Sequence, residues 1–316
     1  MTESPRLLVT VPGATLRRAL ERTPGGVPDG VEVLQWDLEG PPPVASGRRI
    51  DLVVPPYMGA AARLGALDGV DVGLVQSQSI GYDDIADALP PGHVFANAAT
   101  VHETSTAELT LALVLAAQRG IPDFVRAASE GRWAPARHES LADRRVLLIG
   151  YGGVGRAIEE RLAPFEVEVT RVASRARDDE RGRIHGIDEL PQLLPDAEIV
   201  IVGVPLSDAT TGLVDADFLA ALPDGALVVN IARGKVADTD ALLAEAGTGR
   251  LRFALDVTDP EPLPQGHPLF ALPNVLISPH VGGASTAMMP RMARLLKRQI
   301  ERMLRGEAPE NVVLRS

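Results

Sequence analysis

Cysteine is absent from the 316 residues. Disulfides, thiolate metal sites and cysteine nucleophiles are therefore excluded from this chain. Basic residues are outnumbered, 31 against 42 acidic, for a net charge of −11. That balance argues against a non-specific nucleic-acid binder. Long apolar runs are lacking too. The longest helical apolar stretch, 109–117, is far too short to span a bilayer, so no membrane partner is expected. The opening MTESPRLLV has neither a basic n-region nor a long apolar core, which predicts no signal peptide and a cytoplasmic location. No ligand cluster for a metal is visible. What remains is an ordinary globular balance, 45% hydrophobic and 23% charged, long enough for two domains.

The chain is organised around VLLIGYGGVG, from Val146 to Gly155. An unbroken apolar run enters three glycines, and Ala157, Ile158, Leu162 and Phe165 follow at helical spacing. A buried strand, a glycine turn and a helix start form a site for a dinucleotide pyrophosphate. Gly150 allows the turn, Gly152 admits the phosphates to the backbone, and Gly155 lets helix and strand pack closely. The helix start supplies free N–H groups and partial positive charge.

Around that turn, strands alternate with helices. The first part predicts strands at 7–11, 31–36, 50–54, 72–76 and 94–96, with helices at 14–22, 59–67 and a short one from Tyr82. A long helix at 104–119 follows, with Thr104, Ser105 or Thr106 as its cap. Residues 121–140 read as irregular, either a segment against a partner subunit or a surface loop. The second part predicts six strands: 146–149, 167–172, 199–204, 227–230, 253–257 and 275–278. Its helices fall at 153–163, 187–194, 215–221 and 238–245. A last helix, 285–304, is long enough to return to the first part. The fold class is α/β with two doubly wound parallel-sheet domains. Residues 99–284 form a Rossmann dinucleotide-binding domain, and 1–98 with 285–316 form a discontinuous, smaller, flavodoxin-like substrate domain.

An acidic residue roughly 18–20 positions past the third glycine ordinarily holds the ribose 2′-hydroxyl of NAD. The count from Gly155 ends at Ala173, followed by Ser174, Arg175 and Arg177, with no carboxylate before Asp178. A 2′-phosphate needs a cation and hydrogen-bond donors, and Ser174 and Arg175 provide them. NADP(H) is the preferred cofactor on this reading, with NAD(H) as the second choice.

Three later segments end predicted strands, where an open α/β sheet presents its ligand crevice. They are NIARG (Asn230–Gly234), DVTDPEP (Asp256–Pro262) and SPHVGG (Ser278–Gly283). Together they offer a cation, a carboxylate and an imidazole. Hydride transfer to a 2-oxo acid needs those types: a cation for the substrate carboxylate, an acid for the carbonyl oxygen, and a carboxylate beside that acid. Alone, a histidine in a loop reads as a surface or capping residue, and His93, His102, His138, His185 and His267 are read so.

These segments, their order and GYGGVG closely resemble the D-isomer-specific 2-hydroxyacid dehydrogenase family, in its NADPH-type glyoxylate/hydroxypyruvate reductase-like branch. The resemblance runs over essentially the whole chain. It implies that Arg233 binds the 2-oxo acid, that His280 is the general acid in reduction and the base in oxidation, and that Glu261 orients His280. It also implies that backbone N–H groups of Ile80 and Gly81, in the Ser79-Ile80-Gly81 turn, hold the substrate carboxylate. Asp256 resembles the residue meeting the nicotinamide carboxamide, Thr106 one near the nicotinamide, and Val204-Pro205 the segment under the adenosine. With Gly150, Gly152, Gly153, Val154, Gly155, Ser174, Arg175, Ala232, His280 and Gly282, these make up the implied cofactor set. The implied activity is D-stereospecific hydride transfer between NADP(H) and a small 2-oxo or 2-hydroxy acid such as glyoxylate or hydroxypyruvate. Gln76-Ser-Gln-Ser79 holds no lysine for a doubly charged oxyanion. A bulkier acid with NAD(H), or a dinucleotide-sensing binding protein on the same fold, are the alternatives. The family further implies a homodimer, with 109–133 as the place to look, and domain closure hinged near 97–100 and 282–285. Tyr57 and Met58 either close over the substrate or belong to an ordinary surface loop.

Overall fold

The computed structural model describes residues 7–316; most of the opening segment read for a signal, residues 1–6, lies outside them. The N-terminal elements are β1 (Leu7–Val11), α1 (Ala14–Glu21), β2 (Val31–Gln35), β3 (Ile50–Val53), α2 (Ala60–Arg63), β4 (Val72–Gln76) and β5 (Val94–Ala96). Next come α3 (Glu103–Gln118), α4 (Ile121–Ser129), β6 (Arg145–Ile149), α5 (Gly153–Leu162), β7 (Glu168–Ala173), β8 (Arg177–Asp179), β9 (Gly182–Gly186) and α6 (Leu190–Leu193). Then follow β10 (Ile199–Val202), α7 (Ala216–Ala220), β11 (Leu227–Asn230), α8 (Thr239–Thr248), β12 (Arg252–Leu255), β13 (Val275–Ile277), α9 (Met288–Leu304) and β14 (Val312–Arg315). The chain divides into two compact units, one ending at His102 and resuming over Ser285–Ser316, the other spanning Glu103–Ala284.

The first unit carries a six-stranded sheet in the order β14-β5-β4-β3-β1-β2. Its five parallel strands follow the flavodoxin-like 2-1-3-4-5 order, and β14 adds antiparallel to β5. Strand alternation feeds two cores. Val9 and Val11 pack with Leu16, Leu20, Leu295, Leu296 and Ile300, and Leu8 packs on the opposite face with Ile50, Leu64, Leu67 and Phe95. The apolar stripe of α9 thus completes the core of the unit that the chain left at His102.

The second unit carries an eight-stranded sheet in the order β13-β12-β11-β10-β6-β7-β9-β8. All its pairs are parallel except β8 with β9. Strand β6 runs through the middle, with Val146 and Leu148 in one core and Leu147 and Ile149 in the other. Both faces are covered, which is why this strand reads as an unbroken apolar run. The order reverses at β6, so the turn after β6 sits at the switch point of a Rossmann sheet.

Several local expectations are corrected. Six strands were expected here and eight form, because Arg177–Asp179 and Gly182–Gly186 pair as an edge hairpin despite a polar sequence. Residues 121–140 are not wholly irregular: Ile121–Ser129 is helical, with Pro122 in its first turn. No helix starts at Tyr82, where residues 83–88 form turns. The helix expected at 59–67 lasts only Ala60–Arg63 before a 3-10 turn over Leu64–Leu67. That at 187–194 shrinks to Leu190–Leu193 between Pro-containing or short 3-10 turns. Because α3 begins at Glu103, the three proposed caps, Thr104, Ser105 and Thr106, lie inside it. His93 and His102 are buried rather than on the surface, whereas His267 caps a 3-10 turn, its Nδ1 accepting from the Leu269 N–H.

Among the described residues no helix is long and apolar enough to cross a membrane. None of their His, Asp and Glu side chains form a group of three or more that could hold a metal ion.

Candidate active site

The glycine turn has the shape a dinucleotide pyrophosphate requires. Gly150 has φ +106°, and a Cβ there would strike the Gly203 carbonyl. A Cβ on Gly155 would strike the Gly150 carbonyl, so close packing of α5 on the turn demands glycine. Gly152 differs: nothing lies within 4 Å of where its Cβ would stand. It is the N-cap of α5, exposed and without a side-chain cap, so the first N–H groups of the helix are open to an anion. Gly153 is exposed and Val154 half-buried just beyond it. The residues present therefore fit a nicotinamide dinucleotide.

At the end of β7, Ala173 is buried while Ser174 and Arg175 are exposed. Neither side chain makes a hydrogen bond or ion pair among the described residues. Val204 is half-buried and Pro205 exposed at the end of β10, with Thr210 Oγ1 donating to the Pro205 carbonyl at 2.7 Å.

The three remaining segments support one another. Asn230, 2% exposed at the end of β11, accepts from the Ala232 N–H at 3.0 Å and donates to the Arg233 carbonyl at 3.1 Å. Arg233 is half-buried, and its Nη1 donates to the Ala232 carbonyl at 2.8 Å. Next to it, Gly234 presses so closely on the Thr258 carbonyl that no Cβ fits. The NIARG segment therefore lies directly against the segment bearing Glu261.

Asp256, 3% exposed after β12, uses both carboxylate oxygens on the histidine loop. Oδ1 accepts from Ser278 Oγ at 2.6 Å and from the Val281 N–H at 2.9 Å; Oδ2 accepts from the Gly282 N–H at 2.9 Å. The Asp256 carbonyl accepts from the His280 N–H at 2.7 Å. These bonds hold His280 at φ +51°, a left-handed conformation that a non-glycine residue adopts only when its surroundings impose it. A Cβ on Gly282 would lie 3.0 Å from Asp256 Oδ2 and 3.4 Å from Thr106 Oγ1, so Thr106 borders the same corner.

His280 Nδ1 meets Glu261 Oε1 at 2.5 Å, with the two side chains 45% and 41% exposed. Nε2 makes no hydrogen bond among the described residues. In the first unit, the Ser79-Ile80-Gly81 turn is held by Asn97 Nδ2 donating to the Ile80 carbonyl at 2.9 Å and by the Ala98 N–H donating to the Ser79 carbonyl. The N–H groups of Ile80 and Gly81 have no acceptor among the described residues. Tyr57 stacks on His102 with centroids 5.7 Å apart, and His102 Nε2 lies 2.6 Å from the Gln78 carbonyl; Met58 is 77% exposed.

The structure thus joins Glu261 to His280 and groups Thr106, Asp256 and Gly282. It also shows what residue-by-residue reading missed: Asn230 and Ser278 brace the loops that carry Arg233 and His280. Both are polar residues at the C-terminal ends of strands, which was the available signal.

A Rossmann sheet with this glycine turn and a histidine–carboxylate pair among its crevice loops defines a nicotinamide-dependent oxidoreductase. Residues 111–282 match the NAD-binding domain of the D-isomer specific 2-hydroxyacid dehydrogenases. The chain belongs to that family and is an NAD(P)-dependent D-2-hydroxyacid dehydrogenase. It is 30% identical to the human glyoxylate reductase/hydroxypyruvate reductase over 87% of this chain and 89% of that protein. It is 31% identical to the glyoxylate reductase of Korarchaeum cryptofilum over 76% of this chain and 75% of that one. Among solved structures it is similar to a D-isomer specific 2-hydroxyacid dehydrogenase of Xanthobacter autotrophicus in complex with NADPH and MES. That likeness has 29% identity and a TM-score of 0.78 over 98% of both chains. An NADPH-dependent glyoxylate/hydroxypyruvate reductase of Sinorhizobium meliloti, in complex with NADP and malonate, has 26% identity and a TM-score of 0.76, over 98% of this chain and 97% of that one.

Proposed function

We propose that this enzyme is an NADP(H)-preferring reductase of small 2-oxo acids of the glyoxylate or hydroxypyruvate type, giving the D-2-hydroxy acid where the product is chiral. The observation that carries the chemistry is the His280–Glu261 pair, one imidazole nitrogen held by a carboxylate and the other unengaged. When bound, the dinucleotide supplies the hydride. Arg233 holds the substrate carboxylate and draws electron density from the carbonyl. His280 delivers the Nε2 proton to the carbonyl oxygen as the carbon is reduced, and Glu261 keeps the ring in the tautomer and orientation for that transfer. In oxidation His280 takes the proton back. Ile80 and Gly81 offer two backbone donors to a carboxylate. Asp256, with Thr106 and Gly282 beside it, forms the nicotinamide end of the cofactor site.

Support for NADP(H) comes from the end of β7, where a buried alanine replaces a ribose-binding acid and unpaired Ser174 and Arg175 follow. A 2′-phosphate would be met by a hydroxyl and a guanidinium rather than repelled. Support for a homodimer comes from α4 and the segment after it, where Ile121, Val125 and Trp133 are 47%, 63% and 95% exposed. The test of the chemical reading is His280→Ala. Turnover should fall about 100- to 10,000-fold, the range of general acid catalysis, with dinucleotide affinity kept. Residual turnover within a few fold of the parent enzyme would remove His280 from the acid role.

A further inference from the structure

Strand β7 carries an arginine in its middle, Arg171, that is 5% exposed. A half-covered strand ordinarily buries a β-branched or aliphatic side chain at such a position, because an interior guanidinium must find partners for its charge and its N–H groups. Arg171 finds them on the β8–β9 hairpin, in the glycine turn and on α5. Nη1 lies 3.0 Å from Asp179 Oδ1 on β8 and 3.5 Å from the Tyr151 hydroxyl in the glycine turn. Nη2 donates to the carbonyls of Arg181 and Arg183, at 2.7 and 3.1 Å, on the hairpin turn and β9. Nε lies 3.7 Å from Glu159 Oε1 on α5. The guanidinium also stacks over the Tyr151 ring, 5.2 Å from its centroid.

The surrounding groups close the network. The Tyr151 hydroxyl donates to Glu159 Oε2, and burial, reinforced by Glu159, pushes the phenol above its ordinary pKa, so it stays a donor. Arg181, at the hairpin turn, pairs with Glu159 at 2.8 Å and Glu160 at 3.3 Å. Arg177, the first residue of β8, donates from Nη2 to the Tyr151 carbonyl at 3.2 Å.

Only Ser174, Arg175 and Ala176 lie between the end of β7 and the start of β8. Arg171 fixes the hairpin on the far side of that span, and Arg177 ties the span to the glycine turn. The two residues assigned to the 2′-phosphate are thus borne on an arch pinned at both ends. We propose that Arg171 is a positioning residue for cofactor choice: it holds the β8–β9 hairpin so that Ser174 and Arg175 stand ready for the 2′-phosphate without touching it itself. This inference rests on the NADP(H) reading above. Its physical content is pre-organisation, since a span already held loses little freedom when an anion arrives.

The test uses calorimetric binding of adenosine 2′,5′-bisphosphate and of 5′-AMP, which differ by the 2′-phosphate alone, to the full-length protein. Arg171→Lys keeps the charge but cannot span the five partners, and Asp179→Ala removes the carboxylate through which β8 holds the guanidinium. Each should weaken the bisphosphate about tenfold, leave 5′-AMP within twofold, and raise the KM for NADPH without lowering kcat. A bisphosphate affinity within twofold of the parent protein, or an equal loss for both ligands, would overturn the positioning role. Should Arg171→Lys fail to fold, Asp179→Ala decides the matter by the same criteria. Arg175→Ala serves as the separate check on the underlying reading. Loss of bisphosphate selectivity there with none in the other two variants defeats only the positioning role, whereas unchanged selectivity in Arg175→Ala defeats the 2′-phosphate assignment and this inference with it.

Discussion

Replacing Glu261 by Gln keeps the length of the side chain and removes its charge, and its consequence follows from one contact. Glu261 Oε1 and His280 Nδ1 are 2.5 Å apart, a charge-assisted hydrogen bond whenever the ring is protonated. Such bonds contribute about 1.5–3 kcal/mol when well shielded. The side chains are 41% and 45% exposed, so solvent screening brings the figure below that range, to about 1–1.5 kcal/mol. The amide can still accept, but it no longer favours one ring orientation over its flip. At about tenfold per 1.4 kcal/mol, kcat for 2-oxo acid reduction should fall roughly 5- to 10-fold. The assay is steady-state loss of nicotinamide absorbance, with dinucleotide affinity measured in parallel by fluorescence. Affinity should hold, because nothing in the glycine turn is altered. A kcat within twofold of the parent enzyme, or a matching loss of dinucleotide affinity, would refute the reasoning.

The second and third glycines of the fingerprint should fail in different ways. Gly155→Ala drives a methyl group into the Gly150 carbonyl, and overpacking of that kind costs about 1–3 kcal/mol, visible as a lower urea midpoint along with weaker dinucleotide binding. Gly152→Ala, with open space where its Cβ would stand, should leave the midpoint unchanged and weaken the dinucleotide alone; equal midpoints for both variants would contradict this division. Acid should loosen the end of the hairpin. The Glu189 carboxyl is held down to about 2 by the Gly186 N–H, then by His185 and Arg183. Its contribution to stability is therefore present above the ordinary carboxyl range near 4.5 and disappears as pH falls towards 2. Glu189→Gln should lower the melting temperature at neutral pH, and the gap should close as pH falls through that window. A gap that persists at pH 2 would show that the charge is not what matters.

Much of the site could be read along the chain because its signals are local. The glycine turn announces itself through a strand buried on both faces, and the histidine and glutamate stand in the loops that follow apolar strands. What could not be read depends on chain segments that meet only after folding. Arg171 sits in EVTRVA, where strand alternation gives no hint that a hairpin will cover it. That hairpin itself was invisible, since Arg177–Asp179 is wholly charged and Ile184 is the single large apolar residue of Gly182–Gly186. Helix α4 was hidden because its apolar residues, Ile121, Phe124 and Val125, are left exposed rather than turned into a core. For Asp256 the resemblance implies only a place by the nicotinamide carboxamide. Its grip on the histidine loop appears only once Ser278, Val281 and Gly282 have returned to it.

The most direct test of the central claim is the rate of nicotinamide absorbance loss with NADPH and with NADH, each against glyoxylate, hydroxypyruvate and phenylpyruvate. Rapid turnover of one of the two smaller acids, with kcat/KM higher for NADPH, is the predicted result. Turnover that prefers NADH would contradict the Ser174–Arg175 assignment, and tight dinucleotide binding without turnover of any of the three acids would contradict the reductase reading itself.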